Sequence, residues 1–379
     1  SETQWCPGSR FVAMSGSDTC RSKPDNPGKT HIRKGLTMVA VPRRVPVRYL
    51  LLLADVLRAS GVDPVRVLER AGIDTGRLDQ RDNTMTAAEA DAFILAATQL
   101  TGRHDLGFEL GRRVKMNSHD LLGYGLMSCP DMDAFLRMTC RHYHLMLETW
   151  MVRYTRGGPW AEMAYTPLVA MPPLSLTFFL EALAMAHQNQ MKLILGPELS
   201  VYDIHVSMPA PEHARRYEAL FPARFHFHSG AMPGVRVVMP VAMLDTPLAL
   251  GDVDVMRQID ERCQALGQRP ARADTGWTDY VTMVLRETRG AQVTLEDIAR
   301  KVHVSARTID RHLKQEGSGF RELSDQVRFG WACELLRAPG ASIAEVAVQL
   351  GFSDTANFAR AFRRVMGTSP GEYQRGAPR

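Results

Sequence analysis

At 379 residues, with 45% hydrophobic and 23% charged residues, the chain has an ordinary globular composition and enough length for two domains with full cores. Its apolar runs fall well short of the roughly 18 residues of a membrane span, and its first residues hold no apolar signal region; the cytosol is the expected location, with no membrane partner. The formal net charge of +5 is unevenly placed: residues 1–45 hold eight Lys/Arg against three Asp/Glu, residues 46–274 hold 23 against 26, and residues 275–379 hold 15 against 12. A mildly acidic middle ahead of a mildly basic end suits a sensing domain joined to a nucleic-acid domain.

Residues 1–44 mix Gly, Pro, Ser, Asn and charge without an apolar period, so they read as a disordered extension; an upstream-extended reading frame with Met38 as the natural start is one explanation of it. From Val47 the pattern is helical up to a stop at Gly61, and a short helix is expected at Pro64–Ala71 with Pro in its first turn. Thr86 and Glu89 form a capping box for a helix reaching about Leu100. Further helices are expected at Leu106–Val114, Leu121–Met127 and Met132–His144. The period then changes: Leu147–Tyr154 and Trp160–Tyr165 flank Gly157-Gly158-Pro159 and read as a hairpin. A helix over Ser175–Leu193 follows, then strands at Asp203–Val206, Arg224–His228 and Val235–Val238, with a helix at Pro211–Leu220. Residues 45–266 are therefore expected to be an α+β domain, residues 267–276 a Gly/Pro/Arg/Asp-rich linker, and residues 277–379 an all-α domain.

That last part contains a repeat. Thr294-Leu-Glu-Asp297 and Ser342-Ile-Ala-Glu345 are both capping-box starts, and Leu295, Ile298, Ala299, Val302 and Val304 recur 48 residues later as Ile343, Val346, Ala347, Leu350 and Phe352. A second helix follows in each unit, with Ser305 and Ser353 as the expected N-caps. Helix, short turn and second helix is the helix-turn-helix plan, whose second helix enters the major groove of DNA. Ile309 and Leu313, then Phe358 and Phe362, face inward. The opposite faces offer Arg307, Asp310, Arg311 and Lys314 in the first unit, and Thr355, Asn357, Arg360, Arg363 and Arg364 in the second. Arg pairs bidentately with guanine and Asn with adenine, and Lys and Arg neutralise phosphates. A helix from Phe320 to about Arg337, with Leu323, Val327, Trp331, Leu335 and Leu336 inward and Gly330 expected to weaken or bend it, spans roughly 27 Å. That length suits two recognition helices in major grooves about 34–36 Å apart.

Leu350-Gly-Phe-Ser-Asp354, Asn357-Phe-Ala-Arg-Ala-Phe-Arg363 and Gly367-Thr-Ser-Pro-Gly-Glu-Tyr373, with Val304-Ser-Ala-Arg-Thr-Ile309 and Gly317-Ser-Gly-Phe-Arg-Glu-Leu323, resemble the AraC family of bacterial transcription regulators. The resemblance implies base contacts from Arg307, Asp310 and Arg311, then from Asp354, Thr355, Asn357 and Arg360. Gly61-Val-Asp-Pro-Val-Arg-Val-Leu-Glu-Arg-Ala-Gly-Ile73, Leu121-Leu-Gly-Tyr-Gly-Leu126 and Tyr217-Glu-Ala-Leu-Phe-Pro-Ala-Arg-Phe225 resemble the subgroup with an arabinose-binding-like effector domain, a label that does not make arabinose the ligand.

Catalytic and metal chemistry find little support. The six cysteines are scattered without a Cys-x-x-Cys pair; His142 and His144 diverge on the expected helix, and His226 and His228 have no third ligand nearby. There is no nucleophile elbow, phosphate loop or paired-carboxylate motif. No cofactor is expected. The partners expected are double-stranded promoter DNA, a small-molecule effector of unknown identity, and RNA polymerase if the protein activates; residues 45–266 are expected to bind the effector and to mediate self-association as a homodimer, although a dimer is not required for binding DNA. The segment His142–Trp150 reads as core before pocket lining, and no effector-binding residue is assigned. Two rival readings remain: a ligand-independent architectural DNA-binding protein, against which a middle domain of this size argues, and an enzyme fused to the DNA module.

Overall fold

A computed structural model describes residues 44–76, 84–229, 232–267, 277–288, 293–302, 304–338 and 340–376. The expected disordered extension (apart from Arg44), Met38, Cys6, Cys20 and residues 268–276 of the expected linker lie outside the described residues.

The chain opens with two three-residue strands, β1 (Arg44–Pro46) and β2 (Thr84–Thr86), paired antiparallel across the first helices. The single helix expected from Val47 is two, α1 (Val47–Leu51) and α2 (Ala54–Ala59). Between them Leu52 N and Leu53 N bond the carbonyls three residues back, Tyr49 and Leu50, at 3.1 and 3.0 Å. The tighter turn redirects the axis while Leu53 stays fully buried. α3 (Pro64–Ala71) begins on the Asp63 cap, whose carboxylate accepts from Val65 N. The Thr86–Glu89 capping box is present at the start of α4 (Ala87–Thr101). α5 (Leu106–Arg113), α6 (Asp120–Met127) and α7 (Met132–His142) follow. The last is shorter than expected, because Tyr143–Leu145 tighten into a 3-10 turn.

The hairpin is β3 (Trp150–Gly157) and β4 (Trp160–Pro167), in antiparallel register from Trp150 opposite Pro167 to Gly157 opposite Trp160. Leu147 falls in the turn before β3 instead of on the strand. α8 (Pro173–Leu195) is the 23-residue axis of this region. β5 (Tyr202–Val206), α9 (Arg215–Glu218), β6 (Ala223–His226) and β7 (Val235–Pro240) complete a sheet of order β3-β4-β7-β5-β6, antiparallel except for β5–β6. The helix expected over Pro211–Leu220 is a single turn, and β6 stops at His226 as the chain reaches a positive φ of 55° at His228.

α5 packs against α8 at unusually close range. A Cβ on Gly107 would lie 2.4 Å from Phe178 O, and one on Gly111 would lie 2.5 Å from Ala182 O. Glu181, buried on α8, accepts hydrogen bonds from Phe108 N at 2.9 Å and Tyr217 Oη at 2.5 Å, and pairs with His213 Nε2 at 2.5 Å. Its carboxylate is thus satisfied from α5 and α9 together, as a buried charge must be.

The remainder is helical. α10 (Val253–Leu266) and α11 (Trp277–Glu287) had no counterpart among the expected elements. α12 (Leu295–Lys301), α13 (Ala306–Gln315), α14 (Phe320–Leu336), α15 (Ile343–Gln349), α16 (Thr355–Met366) and α17 (Pro370–Gly376) close the chain. The fold class is α+β followed by an all-α part with two helix-turn-helix units. α14 continues unbroken through Gly330, whose Cα faces open space, so its missing side chain costs no packing.

Candidate nucleic-acid interface

In the first unit, Thr294 and Asp297 cap α12 reciprocally, Thr294 N donating to Asp297 Oδ2 at 3.0 Å and Asp297 N to Thr294 Oγ1 at 3.2 Å. Val304 N closes the turn on Ala299 O at 3.1 Å, and Ser305 caps α13 by accepting from Thr308 N at 3.1 Å. Ile309 and Leu313 are fully buried, which turns Arg307, Arg311 and Lys314 to solvent. Asp310 is half-buried and holds Lys314 Nζ at 2.7 Å.

The second unit departs from the simple repeat. Ser342 accepts from Glu345 N at 3.5 Å, which is half of a capping box. The N-cap of α16 is Asp354, not Ser353: its Oδ1 accepts from Asn357 N at 2.7 Å. The turn is therefore one residue longer, opened by Gly351 at φ +76°, where a left-handed backbone favours glycine. This is why the buried pair Phe358 and Phe362 lies 49, not 48, residues beyond Ile309 and Leu313. The other Asp354 oxygen accepts from the Asn357 amide and from Ser353 Oγ, so the capping carboxylate also orients Asn357. Asn357 Oδ1 in turn accepts from Arg360 Nη2 at 2.5 Å. Thr355, Asn357, Arg360, Arg363 and Arg364 are all exposed, and Arg364 reaches Asp325 of α14 at 3.3 Å.

The two units are anchored differently. Phe329, Ala332, Cys333 and Leu336 of α14 close a separate core with Val346, Ala347, Leu350, Phe358 and Phe362; Phe329, Ala332 and Cys333 were not among the inward residues expected for that helix. The first unit instead shares one continuous core with the sheet, through Tyr280, Val281, Met283 and Val284 of α11. Tyr280 Oη donates to Pro167 O at 3.1 Å, Met171 N donates to Met283 Sδ at 3.3 Å, and Arg153 Nη2 donates to Arg300 O at 3.4 Å. Glu316, just past α13, accepts from Trp277 N at 3.0 Å and Thr278 N at 2.8 Å, fastening α13 to α11.

The description "Arabinose-binding domain of AraC transcription regulator, N-term" matches residues 61–248, and a helix-turn-helix domain description matches residues 298–376. The ornithine utilization regulator of Pseudomonas aeruginosa is 27% identical over 330 residues, covering 87% of this chain and 96% of that protein. An uncharacterized HTH-type transcriptional regulator of Mycobacterium tuberculosis is 28% identical, with 88% and 96% covered. The chain belongs to the AraC family of transcription regulators. Among solved structures, the transcriptional regulator CdpR from Pseudomonas aeruginosa covers 83% of this chain and 97% of its own, at 22% identity and a TM-score of 0.38. As an AraC-family member the chain is a DNA-binding transcription regulator, and no helix among its described residues is long and apolar enough to cross a membrane.

A cavity of ≈ 70 Å³ in this AraC-family chain is lined by residues of β1, α1, α5, α7, β4 and α8. Tyr143, Met146 and Leu147 line it, whereas Trp150 of the same segment is core and His142 binds Asp260 at 2.6 Å. His226 is likewise engaged, with Asp203 at 2.7 Å. Two buried imidazoles stand in the cavity wall. Gln190 Nε2 lies 2.7 Å from His119 Nε2, and an amide nitrogen can only donate; His119 therefore carries its proton on Nδ1 and donates it to Tyr49 Oη at 2.8 Å. His187 Nδ1 lies 2.9 Å from Tyr165 Oη. Burial pushes His119 down to about 3 and His187 to about 4, so both are neutral at physiological pH.

Both groups have folded values below their unfolded ones, so the stability tied to neutral imidazole is whole above pH 6.5 and is lost as pH falls toward 4. By pH 5 the loss is about 2 kcal/mol for each. Asp91, which burial raises to about 6, works in the opposite direction and offsets part of this. Urea unfolding at pH 7.5 and pH 5 is expected to show a net loss of about 2 kcal/mol, smaller in His187→Gln; equal stability at the two values would contradict neutral burial.

Proposed function

We propose that the chain is an effector-responsive activator in which residues 45–266 bind a small molecule and residues 277–379 read two successive major grooves. The observation that carries this is the pair of helices α13 and α16, each with its apolar side buried and its polar side turned to solvent, joined by the 17-residue α14. At 1.5 Å per residue α14 is about 26 Å long, a suitable brace between grooves about 34 Å apart. Arg307, Asp310, Arg311 and Lys314 face one groove. Thr355, Asn357, Arg360, Arg363 and Arg364 face the next, with Asp354 positioning Asn357. The Asn357–Arg360 hydrogen bond uses one of the five guanidinium donors and leaves a fork for a guanine edge. Activation is supported by relatives named as activators, such as the transcriptional activator NphR of Rhodococcus, 30% identical over 156 residues. RNA polymerase is then the partner, and because one chain supplies both reading helices, self-association is not needed for DNA binding.

Selection of bound duplexes from a random library, followed by footprinting, tests this. Two protected segments about one helical turn apart are expected on one duplex. Arg311→Ala and Arg360→Ala should each relax base preference in one segment only, at about 1–3 kcal/mol. Unchanged affinity and preference in both variants would refute the assignment.

A further inference from the structure

The cavity beneath β1 has no assigned ligand, and its wall specifies one by chemistry. No Lys, Arg, Asp or Glu lines it. A charged guest would therefore lose its hydration without a counter-ion, a cost that burial in an apolar site makes prohibitive. Two lining side chains, each at least nine-tenths buried, end in polar atoms with no hydrogen-bond partner: Thr139 Oγ1 and His187 Nε2. Such orphans are uncommon in a finished core and are costly to leave unmade. At the cavity wall they are free to pair with a hydrogen-bonding guest.

We propose that this cavity is the effector site and that its ligand is a small, uncharged, mainly apolar molecule carrying one hydrogen-bonding group, which pairs with Thr139 Oγ1 or His187 Nε2. The inference rests on the effector-responsive reading above and adds the place and class of ligand. At ≈ 70 Å³ the space is about half of the ~150 Å³ that admits benzene in an engineered apolar cavity. A guest of a few heavy atoms fits directly, and a ring enters as the flexible Met146 side chain turns aside. The wall is also connected to the DNA-reading part. Tyr165 lies two residues from Pro167 on β4, and Pro167 O accepts the Tyr280 hydroxyl of α11. A guest that moves Tyr165 changes the seat on which the first helix-turn-helix unit rests.

The test uses the full chain with isobutanol and phenol as neutral probes and isobutyrate and isobutylammonium as charged ones, read by saturation-transfer NMR and thermal shift. Saturation transfer and a raised midpoint are expected for the neutral pair alone. Thr139→Val, which keeps the shape and removes the hydroxyl, and His187→Phe, which removes the imidazole, are compared, with circular dichroism confirming the fold: at least one should weaken phenol about tenfold, and unchanged phenol affinity in both would overturn the pairing. Ala182→Leu, which fills the space, should abolish binding, with circular dichroism confirming the fold. Equal binding of the charged probes, neutral binding that survives Ala182→Leu, or no binding of either neutral probe would overturn the proposal. Affinity for the selected duplex is measured separately with phenol bound. A change there supports the coupling through Pro167, whereas bound phenol with unchanged duplex affinity overturns the effector-responsive reading and leaves the ligand class standing.

Discussion

Phe358→Ala is expected to unfold the second helix-turn-helix unit alone, at about 3–5 kcal/mol. The ring is fully buried in a core of nine residues and lies 5.5 Å from Phe352 and 5.6 Å from Phe362, centroid to centroid. Whole domains are stable by only about 5–15 kcal/mol, and so small a cluster has no reserve of other contacts to absorb the loss. The first unit does not share this core, so α12 and α13 should remain folded. Hydrogen exchange should show fast amides in α15 and α16 beside protected ones in α13, and footprinting should lose one protected segment of two. Uniform loss of protection through both units would show that the cores are not independent.

Gly111→Ala is expected to destabilise the chain by about 2 kcal/mol although alanine is the better helix former. The intrinsic preference is worth about 1 kcal/mol in alanine's favour. Against it, the added Cβ would sit 2.4 Å from Met185 Cβ, 2.5 Å from Ala182 O and 2.8 Å from Ala186 N. Two of these are backbone atoms of α8, so no side-chain rotation relieves them and the helices must part, at about 3 kcal/mol. Gly330→Ala is the control: its new Cβ meets nothing within 4 Å, so only the intrinsic gain of about 1 kcal/mol is left. Urea midpoints shifting in opposite directions would confirm both halves, and a stabilised Gly111→Ala would contradict the close approach of α5 and α8.

The parts legible in the sequence are those specified locally. Thr86–Glu89 and Thr294–Asp297 announce helix starts within four residues, and both capping boxes form. The hairpin around Gly157–Pro159 and the inward pairs Ile309/Leu313 and Phe358/Phe362 are likewise written into short spacings. β1 and β2 escaped because three-residue strands carry no periodic signal and their pairing is settled by partners 40 residues apart. α10 buries only Ile259 and Cys263 of its 14 residues, which leaves little apolar stripe to read. Tyr280, Val281, Met283 and Val284 do have helical spacing, and α11 could have been found by it. The Asp354 cap was missed because Ser353 and Asp354 are both competent N-caps, and only the longer turn decides between them. Of the cavity wall only Tyr143, Met146 and Leu147 fall in the segment His142–Trp150 weighed as pocket lining; the rest is assembled from segments between Val45 and Gln190 that carry no shared local signal.

The shared core of the sheet and the first helix-turn-helix unit bears on how far this regulator can be recombined. Residues 277–379 grafted onto a foreign sensor would carry the apolar side of α11 to a surface not shaped for it, with the Tyr280 hydroxyl deprived of Pro167 O. A productive graft therefore has to transplant the β4 end and Met171 along with the reading helices, or redesign Tyr280 and Met283 for the new host. The second unit, with its own core, is the cassette that should move between relatives unaided.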